Sequence, residues 1–273
     1  MADTATGVPI AHARRLWLYA LGFLIVLFLV LPTIIVIPMS FSGTRFLRFP
    51  PEQLSWRWYL AYFGSIEWRD ATWVSLKAAI LTMLVATPLG VMAAYGLHAS
   101  RSKLSRLVET ALIAPLILPL ILVSIGIFFL YARLGLNNTL TGLVLAHVCL
   151  AMPFVFVTVL AGLKGYDMNQ ERVARSLGAS RLVAFVTVTL PQVRFSVFSG
   201  ALLAFITSLD EVVVALFISG GENATLTRRM FTALRDEIDP TVAAISSLLV
   251  ALTLTLLALG LVFGDRRAGA QST

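Results

Sequence analysis

Long apolar stretches, each long enough to cross a lipid bilayer, recur along the chain. The hydrocarbon core of a bilayer takes about 20 residues of α-helix, and six stretches of this length contain almost no Asp, Glu, Lys or Arg. They cover residues 16–38, 78–97, 110–131, 140–163, 195–219 and 241–264. Only the fifth contains charged residues, Asp210 and Glu211. The pattern predicts an all-α membrane protein with six transmembrane helices.

The composition agrees with this class and excludes several others. Of the 273 residues, 58% are hydrophobic and 13% are charged, whereas a soluble domain has about 45–50% and about 25%. The single cysteine, Cys149, lies in an apolar run and excludes a disulfide framework and any metal site built from several cysteines. The histidines at 12, 98 and 147 are far apart and form no motif. We therefore expect the chain to have no catalytic centre and to bind no metal or cofactor.

Basic residues predict how the spans are oriented. If the N-terminus is cytoplasmic, twelve Lys and Arg residues fall in inner segments and eight in outer ones. The contrast is sharpest in the short loops, where Arg101, Lys103 and Arg106 oppose Arg133 alone, and positive charge in short loops favours the cytoplasmic side. Both termini are therefore predicted to be cytoplasmic. The net charge of +7 reflects this orientation and a surface suited to membrane lipid, not a nucleic-acid partner.

The first apolar stretch also sets the domain organisation. Segment 16–38 is longer than the apolar core of a signal peptide, and no small-residue cleavage pattern follows it. It is therefore interpreted as a membrane anchor. The predicted organisation is a cytoplasmic tail at 1–15, a six-helix transmembrane domain at 16–264 and a second cytoplasmic tail at 265–273. The longest inner segment within the domain is 165–194.

Segment 165–194 has the pattern of two short helices joined by a corner. Apolar and basic positions alternate with helical spacing over 169–177. Gly178 can supply the left-handed residue that ends this helix, and Ser180 can cap a second helix that continues through residue 186. Pro191 is expected to break or kink the chain where the fifth span begins. One interpretation is a pair of interfacial helices that rest basic residues on anionic lipid and bind no partner.

The spacing within this segment favours a different interpretation. It resembles the signature of binding-protein-dependent ABC importer permeases, which reads EAA, three residues, Gly, nine residues, Ile, one residue, Leu-Pro. Ala174, Gly178, Leu190 and Pro191 match it, and Val188 stands in place of the Ile. In that family the segment is the coupling helix that docks on an ATPase subunit. The resemblance therefore implies a type I, MetI-like, ABC importer permease fold.

The segment departs from the family signature at two positions, and at one of them Val173 replaces the first Ala. Arg172 occupies the position of the leading glutamate, and Glu171 lies one residue earlier. Neighbouring helical positions are about 100° apart, so Glu171 is the candidate to replace the missing carboxylate. The residues that the resemblance assigns to ATPase coupling are Glu171, Arg172, Ala174, Gly178, Leu190 and Pro191.

The family also implies that this chain lies in a bacterial inner membrane and which partners it has. They are a second permease subunit in a heterodimer, two ABC ATPase subunits and a periplasmic substrate-binding protein. The phosphate-binding pattern G-x-x-x-x-G-K-[ST] does not occur in the sequence. ATP is therefore expected to be bound and hydrolysed by a separate subunit, and this chain is not expected to be an enzyme.

Two carboxylates stand near the middle of the fifth apolar stretch. Each costs about 2.5–3.5 kcal/mol at the centre of a bilayer, so Asp210 and Glu211 are expected to face a cavity or a partner. Ser208 lies three residues before Glu211, on the same helical face. One interpretation is a substrate pathway in which one carboxylate meets a permeating cation and the other pairs within the bundle. The alternatives are a structural pair with Lys or Arg, and a proton relay in a secondary transporter.

A second resemblance narrows the substrate. The segments "MPFVFVTVLAGLKGYD", "SLDEVVVALFISG" and "DPTVAAISSLLV" are similar to the second permease of spermidine/putrescine importers. This branch implies a polyamine path that includes Ser208, Asp210 and Glu211, with Trp58 of "WRWYLAYF" at an aromatic position. Here Leu120 follows Pro119, where polyamine members often have an acidic residue. Opines, aminobutyrate and aminophosphonates, which relatives of this branch import, are therefore alternative substrates.

Overall fold

The computed structural model describes residues 16–45, 48–100, 102, 104–236 and 239–265, which are mostly helical. The α-helices are α1 (Leu16–Met39), α2 (Arg57–Gly64), α3 (Ile66–Ala99), α4 (Leu104–Ile117), α5 (Leu120–Leu134), α6 (Leu140–Lys164), α7 (Asn169–Ser176), α8 (Arg181–Ala184), α9 (Leu190–Asp210), α10 (Val213–Ile218), α11 (Leu226–Asp236) and α12 (Thr241–Asp265). A π-helical turn, Phe185–Thr189, joins α8 to α9, and a 3₁₀ turn, Gly221–Asn223, precedes α11. The only β-structure in the described ranges is one isolated bridge. The all-α prediction is confirmed.

The chain divides into two compact units. The first contains the described residues up to Ala61 together with residues 239–250, and the second contains the remainder. The tail predicted at 1–15 lies outside the described residues, as does all but the first residue of the tail predicted at 265–273.

Four of the predicted spans are single helices in the structure. Helices α1, α6 and α12 agree with the sequence pattern within two residues at each end, whereas α3 begins twelve residues before the predicted start at 78. Ser65 caps α3 by accepting a hydrogen bond from the backbone N–H of Trp68. The first turns of α3 contain Glu67, Arg69 and Asp70, so a search for charge-free stretches cannot find where this helix begins.

The span predicted at 110–131 is sharply bent in the structure. This region forms α4 and α5, whose axes differ by 100°, with the break at Leu118 and Pro119. Proline has no backbone N–H to continue α4, and its fixed φ suits the start of a new helix. Among the described residues, five helices are long and apolar enough to cross a membrane, or six if this bent pair is one span.

The first unit contains α1 and an aromatic cluster that follows it. None of the residues of α1 is buried, as expected of a span whose surface faces lipid. The rings of Phe41, Trp56 and Tyr59 contact one another with centroids 4.9–5.4 Å apart, and the Tyr59 hydroxyl lies 2.7 Å from that of Ser40. Trp58 is buried, and its indole N–H has no hydrogen-bond partner among the described residues.

The core of the second unit is built where α3, α6 and α9 pack closely. Gly90 of α3 and Gly200 of α9 both face Val155 of α6. A Cβ atom at Gly90 would lie 2.7 Å from the Cβ of Val155, and one at Gly200 would lie 3.1 Å from its Cα. Small residues at helix crossings let membrane helices approach closely. The two glycines therefore hold α3 and α9 against one segment of α6.

We expect the substitution Gly90→Ala to destabilise this three-helix core. The added methyl group overpacks the contact with Val155, which costs about 1–3 kcal/mol, and thermal unfolding in detergent measures the loss. The matched control is Gly96→Ala in the same helix, because a Cβ atom at Gly96 meets nothing within 4 Å. Equal unfolding temperatures for the two variants would show that the helices can separate at Gly90 without loss.

Candidate functional site

The fifth predicted span is broken at the two carboxylates. Helix α9 ends at Asp210, and Glu211 has extended backbone angles of φ −68° and ψ 120°. Helix α10 then begins at Val213. The expectation of one continuous helix over 195–219 is therefore wrong, and the face shared by Ser208 and Glu211 does not continue past the break. The extended residue gives Asp210 and Glu211 different surroundings.

Glu211 is held by the backbone of α10. Its Oε1 accepts a hydrogen bond of 2.9 Å from the N–H of Val214, and its Oε2 accepts one of 3.0 Å from the N–H of Ala215. Its own carbonyl oxygen accepts a bond of 2.8 Å from the hydroxyl of Thr227. The residue is only 7% exposed. Backbone N–H groups at a helix start need acceptors when they are buried, so Glu211 stabilises the break.

His147 links this carboxylate to two other helices. Its Nε2 lies 3.7 Å from Oε2 of Glu211, and its Nδ1 lies 2.7 Å from the hydroxyl of Ser208. Ser208 in turn donates to the hydroxyl of Thr82, 3.3 Å away. All four side chains are buried. The network joins α3, α6, α9 and the break through polar contacts at the depth of the apolar spans.

Asp210 differs from Glu211 in its exposure and in its hydrogen bonding. It is exposed, and within the described part of the chain no hydrogen bond or ion pair to its side chain is found. A carboxylate at the end of a membrane-spanning helix, with free oxygens, can accept a cationic group directly. The structure therefore separates the two carboxylates into a structural one, Glu211, and an accessible one, Asp210.

Sequence reasoning identified Ser208, Asp210 and Glu211 but not the role of His147. The structure brings Ser208 and Glu211 to the same histidine, whereas Trp58 belongs to the first unit, where its side chain is buried. His147 could have been recognised in the sequence because it lies inside an apolar span. Ionisable residues within membrane spans are rare and usually functional. No group of three or more metal-binding side chains forms in the described ranges.

Segment 165–194 forms the predicted helix, corner and second helix. Helix α7 covers Asn169–Ser176, and Gly178 has a φ of +99°, a conformation that favours glycine. The Ser180 hydroxyl accepts from the N–H of Val183, 3.3 Å away, and so caps α8. The helix ended by Gly178 and the Ser180 cap are both confirmed.

Of the break or kink expected at Pro191, the structure excludes the break. The chain stays helical from Arg181 through the π-helical turn into α9, and the N–H of Leu190 bonds to the carbonyl of Phe185, five residues earlier. A proline ring clashes with the carbonyl four residues before it in a regular α-helix. A π-helical turn moves those carbonyls, so Pro191 lies in the first turn of α9 without interrupting the chain.

Glu171 is the least exposed residue of the predicted coupling set. Its Oε1 accepts a hydrogen bond of 2.6 Å from the hydroxyl of Tyr95, and its Oε2 accepts one of 2.6 Å from the hydroxyl of Thr189. The side chain therefore faces inward and ties α7 to α3 and to the π-helical turn. Arg172 and Gly178 are exposed, and Ala174 and Leu190 are half-buried. The outer face of the segment is thus basic rather than acidic.

Comparisons with known proteins agree on one family. Residues 86–267 match the family described as "Binding-protein-dependent transport system inner membrane component". The chain is 30% identical over 240 residues to the spermidine/putrescine transport system permease protein PotC of Haemophilus influenzae, covering 88% of this chain and 93% of that protein. It is 29% identical over 245 residues to the putrescine transport system permease protein PotI of Escherichia coli, covering 86% and 85%.

A solved structure has the same fold. It is the bacterial alginate ABC transporter in complex with an alginate pentasaccharide-bound periplasmic protein, with a TM-score of 0.71 over 93% of this chain and 96% of the matched chain. The sequences are 15% identical. The likeness therefore supports the expected importer permease fold and leaves the substrate to be argued from residues.

Proposed function

This chain belongs to the family of binding-protein-dependent transport system inner membrane components, and from that premise we propose that it carries a polyamine, spermidine or putrescine, through the membrane. PotC of Haemophilus influenzae and PotI of Escherichia coli, which match this chain over most of its length, are permease proteins of a spermidine/putrescine and a putrescine transport system. Polyamines are chains of protonated amines separated by short apolar segments. A path for them needs carboxylates between apolar walls.

The observation that supports this proposal best is the broken fifth span with Asp210 beside it. A carboxylate in an apolar, partly dry passage attracts an ammonium group more strongly than one in bulk water, since the effective dielectric constant is lower. The break is stabilised by the contacts of Glu211, Ser208 and His147. These contacts keep Asp210 at the end of α9. The substrate contact is therefore assigned to Asp210, with the other three as supporting residues.

The proposal includes the partners that an importer of this kind needs. We place this chain beside a second permease subunit, on two ATPase subunits and under a periplasmic binding protein, with both of its own termini cytoplasmic. Closure of the ATPase pair on ATP would move α7 and α8. Because Glu171 ties α7 to α3 and to the start of α9, that motion would reach the spans that flank the break.

The secondary-transporter alternative has less support. A proton relay needs a carboxylate that changes partners as it binds and releases its proton. Both oxygens of Glu211 accept backbone N–H groups of α10, and release of these bonds would leave buried donors unpaired. A different amino compound as the substrate remains the second candidate, because Asp210 would accept any ammonium group.

The substitution Gly178→Asp tests ATP coupling. We expect it to lower ATP-driven uptake at least about tenfold, because a side chain at a positive φ strains the backbone by about 1–2 kcal/mol and shifts the corner away from its native conformation. The assay is uptake by the complex in proteoliposomes loaded with ATP. Membrane insertion and the yield of the chain should not change.

The matched control for this test is Gly135→Asp. Gly135 also has a positive φ, of +67°, and a Cβ atom at either glycine meets nothing within 4 Å. It ends α5 rather than α7, so an aspartate there should leave uptake nearly intact. Uptake by this chain alone in ATP-depleted vesicles, or equal losses in both variants, would contradict the coupling assignment.

A further inference from the structure

A cleft of about 410 Å³ opens beside α7, at the end of α3. It lies entirely within the second unit. Its lining residues are Tyr95, His98, Ala99, Met168, Glu171, Arg172, Arg175 and Arg181. Three guanidinium groups therefore surround a single carboxylate.

That carboxylate does not neutralise the arginines. Both oxygens of Glu171 accept hydroxyl groups, from Tyr95 and Thr189, and in the described ranges no ion pair links it to an arginine of the cleft. The side chain is buried, whereas all three arginines are exposed. The open side of the cleft is therefore cationic.

The arginines retain donors for a ligand. Arg172 uses one N–H on the side-chain oxygen of Asn169, 3.1 Å away, and Arg181 uses its Nε on the hydroxyl of Tyr95, 3.3 Å away. No hydrogen bond to Arg175 is found among the described side chains. A guanidinium has five donors arranged to bind a carboxylate through two parallel bonds. At least two such forks thus remain free around the cleft.

Three large apolar side chains of the same segment are exposed as well, although they lie outside the lining of the cleft. Leu177 is 84% exposed, Leu182 is 72% exposed and Val173 is 58% exposed. Exposed apolar side chains in the same segment as exposed arginines are typical of a surface that another protein covers.

The two hydrogen bonds of buried Glu171 favour a protein partner over a lipid. A buried carboxylate is costly unless it is fully hydrogen-bonded, and this one is used to join α7 to α3 and to the π-helical turn. Such a link lets a force applied to α7 reach two spans. A lipid headgroup would be held by the arginines without any need for this link.

We propose that the cleft receives a carboxylate side chain, Asp or Glu, from the partner ATPase subunit. This inference rests on the proposed function and adds the chemistry of the contact. The acidic residue enters between Arg172, Arg175 and Arg181. The partner surface that faces this cleft is accordingly acidic.

Zero-length cross-linking of the full complex tests this proposal. The variant Arg175→Lys introduces an amine that carbodiimide joins to a carboxylate only when the two are in contact. We expect a product of this chain with the ATPase subunit, and mass spectrometry should place the bond on an Asp or Glu of the ATPase. Arg194→Lys is the matched control, because Arg194 is exposed but lies outside the cleft, and it should give no such product.

Charge reversal supplies the second measurement. We expect Arg172→Glu with Arg175→Glu to reduce the ATPase that co-purifies with this chain at least about tenfold, a change equivalent to about 1.4 kcal/mol. Arg194→Glu should leave it unchanged. Exchange of the cross-linked acidic residue of the ATPase for Arg should restore assembly with the doubly reversed chain.

The other outcomes are distinct from one another. A complex that assembles normally with both reversals, or gives no cross-link from Arg175→Lys, would overturn the proposal and leave the proposed function intact. If the doubly reversed chain binds less to vesicles containing phosphatidylglycerol while its ATPase capture is unchanged, the cleft binds a lipid headgroup instead. Failure of the unmodified chain to capture any ATPase would overturn the proposed function as well.

Discussion

Asp210→Asn should lower kcat/KM for spermidine or putrescine about 10- to 100-fold, equivalent to about 1.4–2.8 kcal/mol of lost transition-state stabilisation. The substitution removes one negative charge and keeps the shape of the side chain. Two unit charges 4 Å apart attract by about 4 kcal/mol at an effective dielectric constant of 20, so loss of the pair accounts for this range. Uptake of labelled polyamine by the reconstituted complex gives the measurement.

The stability of the Asp210 variant separates binding from folding. Because Asp210 is exposed, the Asp210→Asn variant should unfold at the same temperature as the unmodified chain. Asp70→Asn is the matched control, since Asp70 is also an exposed aspartate but lies near the start of α3. Unchanged uptake by an assembled Asp210→Asn complex would remove this residue from the substrate path.

Glu211→Gln should have the opposite profile, with a large loss of stability. The carboxylate accepts from two backbone N–H groups, of Val214 and Ala215, whereas an amide has one acceptor oxygen and would place an NH₂ group against the other donor. A buried donor left without a partner costs about 1–3 kcal/mol. Thermal unfolding in detergent should therefore show a lower transition temperature for Glu211→Gln than for Asp210→Asn.

This contrast tests the division of roles at the break. Adjacent carboxylates with the same change of charge should affect different properties, transport for Asp210 and stability for Glu211. If Glu211→Gln unfolds like the unmodified chain and still loses uptake, Glu211 contacts the substrate and its capping bonds are secondary. Equal effects of the two substitutions on both properties would reject the separation.

Local features of the fold were predictable because they depend on neighbouring residues. Length and apolarity identify the spans in α1, α6 and α12, because the cost of backbone polar groups in hydrocarbon forces such segments into helices. Gly178 and Ser180 were predictable for the same reason, since a positive φ and a helix cap are properties of a few consecutive residues. The spacing of Ala174, Gly178, Leu190 and Pro191 likewise identified the family.

Bends and breaks were harder to predict from the same pattern. Pro119 and Pro191 both follow a leucine, but the first coincides with a bend of 100° and the second lies inside a continuous helix. The difference lies in whether a π-helical turn relieves the clash of the ring. Asp210 and Glu211 are identical in charge and adjacent in sequence, so composition cannot distinguish the exposed one from the capping one.

The sequence by itself determined the helical class, the approximate spans, the corner at Gly178 and the pair of carboxylates that interrupts the fifth apolar stretch. Only the tertiary structure decided which carboxylate is accessible and which is held, because the answer depends on contacts between distant residues. His147 meets Ser208 from 61 positions away, and Ser208 meets Thr82 from 126 positions away. Glu171 is turned inward by Tyr95, 76 positions earlier. The free energy of a buried polar group depends on partners that folding brings together, and no local pattern contains them.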